Sequence, residues 1–230
     1  MSLCCDEGVI IDAISFKESD QILTVFTERC GVIKLIAKKA KKGARAGGVS
    51  PLSRGEFRYT KGRGELCRCS DIHIIDSFLS LRSSFDCLTA AGVMVKTIGV
   101  SQMVGKPAPK LYQLLLCYLK NLSKGVCPSL FGSSFILKIF KHEGIWPPSL
   151  HCHTCYKALE EGYFHGSEIF CWEHAPSGSP FLSREEIAVL AVLTEARSLE
   201  TLKNLKIEQE LAGKIQQLFD ISFRKTMAIN

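Results

Sequence analysis

Cys152, Cys155, Cys171 and His174 have types and spacing that fit one definite chemistry. They read C-x2-C, then fifteen residues, then C-x2-H. Two residues between ligands let a single tight turn aim both at one ion, and the spacer is long enough for a hairpin that returns the second pair. Three thiolates and an imidazole complete a closed tetrahedral Zn2+ site. Four protein ligands leave no position for a reactive water, so the expected metal is one structural zinc. The spacing leaves His151, His153 and His165 as other sources of the fourth ligand.

Other constellations fail as catalysts. Gly99 to Lys106 resembles a P-loop, but five residues separate Gly99 from Gly105 where four are needed, and Pro107 stands where Ser or Thr should follow the lysine. G-x-S-x-G, H-E-x-x-H and dinucleotide fingerprints are absent. Glu185 and Glu186 fall in the first turn of a helix, where they favour its dipole. Asp6, Asp12 and Asp20 alternate with apolar strand residues rather than converging as Mg2+ ligands. Cys67, Cys69 and His73 could hold a second metal, but a core pair is the simpler reading. The chain is therefore expected not to be an enzyme.

The charge is uneven. Between Lys34 and Arg68 eleven bases face only Glu56 and Glu65, a local +9 in a chain of net +6, so the remainder carries −3. Such a field attracts polyanions, with nucleic acid the common partner. Lys38, Lys39, Lys41, Lys42 and Arg45 lie in a glycine-containing loop, which cannot be a buried strand without desolvating them. Arg58, Lys61, Arg63 and Arg68 lie on or beside a hairpin with the basic tip Lys61-Gly62-Arg63-Gly64. Tyr59 is a candidate to stack a base, with a core position for it and for Phe57 as the alternative.

The elements that must carry these residues are legible in the periodicity. Gly8 to Ile14, Gln21 to Thr27, Gly31 to Ala37, Glu56 to Thr60, Glu65 to Cys69 and Ile72 to Phe78 read as extended segments punctuated by turns. Short antiparallel strands of this kind suit a small closed barrel, which removes exposed edges. After Leu81 the period becomes helical. Phe85, Leu88, Val93, Val95 and Ile98 mark a buried helix, Leu111 to Leu122 a second, and Pro128 to about Gly144 a third. His142 reads as a helix C-terminal cap. Ser183 to Glu186 is a capping box, and Ile207, Leu211, Ile215, Leu218 and Phe219 mark a terminal amphipathic helix. At 230 residues and 46% hydrophobic, the chain can bury a real core. Eleven cysteines, an odd number, point to reduced thiols and a cytoplasmic setting. The acidic start and the lack of an eighteen-residue apolar run predict neither signal peptide nor membrane span.

The order of the N-terminal signals resembles the bacterial recombination mediator family RecO. The resemblance rests on Glu7-Gly8-Val9-Ile10, on Glu18-Ser19-Asp20 followed by Ile22-Leu23-Thr24, and on Gly31. It continues through Ala37-Lys38-Lys39-Ala40-Lys41-Lys42, Pro51-Leu52, Gly62-Arg63-Gly64-Glu65-Leu66 and Ile75-Asp76-Ser77-Phe78. It implies an α+β protein: an N-terminal OB-fold barrel over 1–80, a helical domain over 81–149 and 181–230, and an inserted zinc-binding module over 150–180. It further implies binding of single- and double-stranded DNA and strand annealing without nucleotide hydrolysis. Implied partners are RecR, the acidic C-terminal tail of single-strand-binding protein and, indirectly, the RecA filament, in a cytoplasmic, nucleoid-associated setting. Lys138 and Lys141, beside apolar residues on one helix, are the candidates for the tail. Where the familiar fourth zinc ligand is cysteine, this chain has His174. The competing readings are a zinc-stabilised RNA-binding barrel and an adaptor for acidic tails.

Overall fold

The computed structural model describes residues 3–38, 49–62, 64–124, 126–144, 150–166, 168–196, 199–205 and 210–217. The chain divides into two compact units, Met1–Ser123 and Lys124–Asn230. Among the described residues no helix is long and apolar enough to cross a membrane.

The first unit opens with β1 (Leu3–Phe16), β2 (Asp20–Thr27), β3 (Gly31–Ala37), β4 (Arg54–Thr60) and β5 (Leu66–Asp76), closed into a barrel in the order β1-β2-β3-β5-β4. β1 serves two neighbours. Leu3–Val9 pairs with β4 and Gly8–Phe16 with β2, and a register shift between Ile10 and Asp12 interrupts the β2 ladder just past the end of the β4 ladder. Gly8 sits where both ladders meet. A Cβ there would come within 2.5 Å of Val25 Cγ1 and 2.9 Å of the Phe26 carbonyl oxygen.

The barrel is not antiparallel throughout, as the sequence reading expected. Lys34–Ala37 of β3 runs parallel to Leu66–Cys69 of β5. The reason is parity, since a ring with an odd number of strands cannot alternate direction at every seam. Likewise β5 is one eleven-residue strand rather than two, with register shifts against β4 near Arg54 and Arg58.

The barrel interior follows the period of two. Ile10, Leu23, Val25, Ile33, Leu35, Phe57, Tyr59 and Cys67 form its buried core. One carboxylate is buried with them. Asp6 accepts a 2.8 Å hydrogen bond from the Tyr59 hydroxyl, and the Cys30 thiol lies 3.6 Å from the same oxygen.

The helices α1 (Leu79–Arg82), α2 (Phe85–Ser101) and α3 (Pro109–Leu122) complete this unit. Ser84 caps α2 by accepting from the Cys87 N–H. The core-facing residues of α2 are Cys87, Ala90, Ala91, Met94, Val95 and Ile98. Phe85 and Leu88, expected in the core, are instead exposed. In the first half of the helix the inward positions are held by Cys87, Ala90 and Ala91, and Phe85 stands at the exposed helix start. α3 is tied to the barrel by Tyr112, whose ring meets Phe26 edge-on at 5.9 Å and whose hydroxyl donates to Glu7 at 2.7 Å. Arg54 donates to the same carboxylate at 2.8 Å. Gly31 has φ 65, and a Cβ there would drive into the Lys106 carbonyl, so the segment leading into α3 crosses the barrel at a glycine.

In the second unit α4 (Pro128–His142) is buried almost all round by Leu130, Phe131, Phe135, Ile136, Ile139 and Phe140. Gly144, at φ 73, follows its end. β6 (Gly162–His165), β7 (Glu168–Phe170) and β8 (Phe181–Leu182) form a small sheet in the order β7-β6-β8. The capping box expected at Ser183 is present and opens α5 (Arg184–Glu195). α6 (Leu199–Asn204) follows, and residues 210–217 are helical, which covers Leu211 and Ile215 of the expected terminal helix. Ile207, Leu218 and Phe219 lie outside the described residues.

Two bonds can be tested by stability. Tyr59→Phe leaves buried Asp6 without its hydroxyl donor and should cost about 1–3 kcal/mol in denaturant unfolding; an unchanged midpoint would contradict that role. Arg54 holds the Glu7 carboxyl below its ordinary value. The tie therefore stabilises the fold above the unfolded carboxyl pKa and fades as pH falls through the depressed one. Glu7→Gln should lose less stability on acidification than the native chain.

Candidate nucleic-acid interface and metal centre

The outward positions of the β4–β5 hairpin carry three of the described bases of the basic region. Along β4, Phe57 and Tyr59 point in and Arg58 points out; along β5, Cys67 points in and Arg68 points out. The ladder sets Arg68 across from Thr60 and Arg58 across from Asp71. Ser70, at the register shift, donates its hydroxyl to the Arg58 carbonyl at 3.0 Å and fixes that bulge. Lys61 is exposed where β4 ends, and Lys38 is exposed just beyond β3. Arg58, Lys61 and Arg68 thus share the solvent side of one hairpin. Lys39, Lys41, Lys42, Arg45 and Arg63 lie outside the described residues.

Counter-charges are few and weakly placed. Glu56 lies 3.5 Å from the Arg58 Nε and Glu65 lies 4.0 Å from the Lys34 Nζ, with both pairs open to solvent. Exposed pairs of this kind contribute little, about 0–1 kcal/mol, so phosphate can displace them. Glu56 also accepts from the Cys5 thiol at 3.1 Å, and that bond, with burial and the carboxylate's charge, raises the thiol's pKa.

Tyr59 does not belong with these residues. Its side chain is fully buried and its hydroxyl is engaged by Asp6, so it has no ring face open to a base. The alternation that puts Arg58 outside puts Tyr59 inside. Lys138 and Lys141, three residues apart on α4, differ in environment. The Lys138 ammonium donates to the Ala196 carbonyl at the end of α5, and burial lowers its pKa. Lys141 stands exposed in the last turn of α4.

The metal-type motif is gathered as its spacing predicts. The ligand atoms of Cys152, Cys155, Cys171 and His174 all lie within 4.8 Å of one another. Cys155 and Cys171 Sγ are 3.9 Å apart, and His174 Nδ1 lies 3.8 Å from Cys152 Sγ and 3.1 Å from Cys171 Sγ. Tetrahedral ligation at Zn–S distances near 2.3 Å requires sulfurs about 3.8 Å apart, so the donor set fits a metal of that size and softness.

Local backbone bonds build the cradle. The Cys152 N–H donates to the Lys157 carbonyl and the Tyr156 N–H to the Cys152 carbonyl, each at 2.8 Å, which closes the first turn with Tyr156 at φ 60. The His174 N–H donates to the Cys171 carbonyl at 3.1 Å and closes the second. The β6–β7 hairpin joins them, tied back by the His153 N–H to the Ile169 carbonyl. Burial pushes the Cys152 thiol up, but backbone N–H groups of Cys155, Cys171 and Thr154 outweigh it and bring its pKa down to about 6. A thiol so placed gives up its proton readily to a metal.

The histidines considered as alternative ligands are engaged elsewhere or stand apart. His153 Nδ1 lies 2.8 Å from Glu168, His165 Nδ1 lies 3.3 Å from the Ser179 hydroxyl, and His151 is not among the gathered ligands. Cys67, Cys69 and His73 do not converge, and among the described residues the Cys3His group is the one cluster of its kind. The sequence reading passed over Tyr156 and Trp172, each directly after a ligand cysteine and each 77% exposed. Their signal was available, because a fifteen-residue spacer has no core in which to bury large rings.

Comparison with known proteins adds an independent line. Residues 1–78 match the family described as Recombination protein O N terminal, and residues 82–221 match Recombination protein O C terminal. A protein named DNA repair protein RecO from Chlamydia muridarum is 30% identical over 155 residues, 66% of each chain. Its namesake in Chlamydia trachomatis serovar L2 is 26% identical over 227 residues, 95% of this chain and 92% of its own. That of Bacillus subtilis is 25% identical over 228 residues, 95% of this chain and 88% of its own.

Two outcomes test the geometry. Cys155→Ser should abolish stoichiometric metal in elemental analysis and open the 150–182 region to proteolysis, because metal ligation supplies of order 10 kcal/mol to such modules. Replacing Arg58, Lys61 and Arg68 together by Glu should weaken oligonucleotide affinity at low salt by at least about tenfold without lowering the melting midpoint. Unchanged affinity would remove the hairpin from the interface.

Proposed function

The chain belongs to the RecO family, and from that membership we propose that it serves recombinational DNA repair by holding DNA on its N-terminal barrel and annealing complementary strands. The observation that carries this reading is the shared outward face of Arg58, Lys61 and Arg68. Cations on a closed barrel neutralise phosphates without reading bases, and a sequence-independent grip is what annealing of arbitrary strands requires. Counterion release supplies the affinity, and no bond is broken.

The remaining parts of the reading rest on family membership. A structural zinc held by Cys152, Cys155, Cys171 and His174 pins the module that follows α4. RecR and the acidic tail of single-strand-binding protein act as partners on the RecFOR route, which loads RecA onto covered single strands. The tail contact, with Lys141 exposed in the last turn of α4, is the finest-grained element of the proposal.

The test is annealing of complementary oligonucleotides coated with single-strand-binding protein, followed by strand-specific fluorescence without nucleotide. Acceleration over the uncatalysed rate at stoichiometric protein, lost in the triple Glu variant, is the expected result. Equal rates with and without protein would overturn the reading, and preference for RNA strands would transfer it to RNA.

A further inference from the structure

The metal-type module carries a second surface that the DNA reading does not use. Trp172 and Phe181 line a groove of about 330 Å3 with Tyr163, Lys157, Glu160 and Glu161. Trp172 is 77% exposed and Phe181 44%. The floor is held firmly. Tyr163 and Phe181 pair across β6 and β8 and meet edge-to-face at 5.4 Å, and Cys171, of the Cys3His group, lines the same groove as Trp172. Large rings left in water on a rigid frame are typical of anchoring sites at interfaces.

Two classes of occupant use aromatic faces: the bases of single strands and the guanidinium or ammonium groups of polypeptides. Charge decides between them. Residues 150–182 hold Lys157 against Glu160, Glu161, Glu168 and Glu173, a net −3, the opposite sign to the barrel hairpin. Glu168 is engaged by His153 and Glu160 by Arg184. Glu161 in the groove and Glu173 directly after Trp172 have no ion pair among the described residues. Phosphates would be repelled here, whereas a cation laid on the indole finds carboxylates beside it.

We propose that the Trp172 groove is a docking site for an arginine-bearing polypeptide segment of a partner protein, with the guanidinium stacked on Trp172 and paired by Glu161 and Glu173. The metal cluster then has a purpose beyond its own folding, because it fixes the wall that presents the indole. The groove shares no residue with the Arg58, Lys61 and Arg68 face.

The chain has two tryptophans, so Trp146→Phe leaves Trp172 as the sole reporter in the metal-loaded full-length protein. Titration with a nine-residue alternating Arg-Gly peptide should change Trp172 emission saturably. The added pair Glu161→Gln and Glu173→Gln should weaken that binding by about tenfold. Metal content and strand annealing should stay unchanged in that variant, which separates this site from the barrel. No saturable response to the peptide, equal affinity in the Gln pair, or a response to nine-residue oligothymidylate in place of the peptide would each overturn the proposal.

Discussion

A ring of five strands closes only if β1 answers two neighbours at once, and the N-terminal unit is organised around that double duty. Gly8 lies where the two ladders overlap, and the register shift past Ile10 interrupts the β2 ladder just beyond the end of the β4 ladder. Closure removes free edges, so the hairpin β4–β5 can present cations outward without offering a template for aggregation. It also traps a polar group, and the Tyr59 hydroxyl satisfies Asp6 inside the ring. The same alternation thus sets the dry core and the charged face. Neither can be altered without the other, since a one-residue slip would exchange Tyr59 for Arg58.

The second unit solves a different problem. The stretch from Cys152 to His174 has strands of three and four residues and little to bury. Beside the few buried residues Phe164, Ile169 and Phe170, three sulfurs and an imidazole nitrogen are brought within 4.8 Å of one another, a set that could hold a metal ion. α4, by contrast, is buried on nearly every side and needs no such help. Opposite charge divides the two units further: the barrel hairpin is basic, the metal-type module acidic.

Much of this was legible in the chain. The Gly31–Ala37 strand, the Pro128 helix start and the Ser183 capping box follow from local chemistry and the structure has each, while the strand read from Gln21 begins at Asp20 and the Glu56–Cys69 hairpin is built of the longer strands Arg54–Thr60 and Leu66–Asp76. The Cys3His group was legible because ligand spacing is itself a geometric statement. What escaped was global. The parallel β3–β5 seam comes from the parity of the ring, which no segment of sequence encodes. Phe85 and Leu88 looked like core because they are large, yet Cys87, Ala90 and Ala91 hold the inward positions in that half of α2. Tyr59 could be assigned to either face until the inward side of β4 was known. Lys138 reads as a free cation, but its place opposite the end of α5 makes it a helix cap.

The central claim is that a closed barrel with cations gathered on one hairpin grips phosphodiester backbones. Its most direct test is the salt dependence of single-stranded oligonucleotide affinity for the intact, metal-loaded chain. Three or more neutralised phosphates predict that log K falls against log salt with a slope of about 2 or steeper, at roughly 0.7 per phosphate. A flat line, or no binding in dilute buffer, would contradict it.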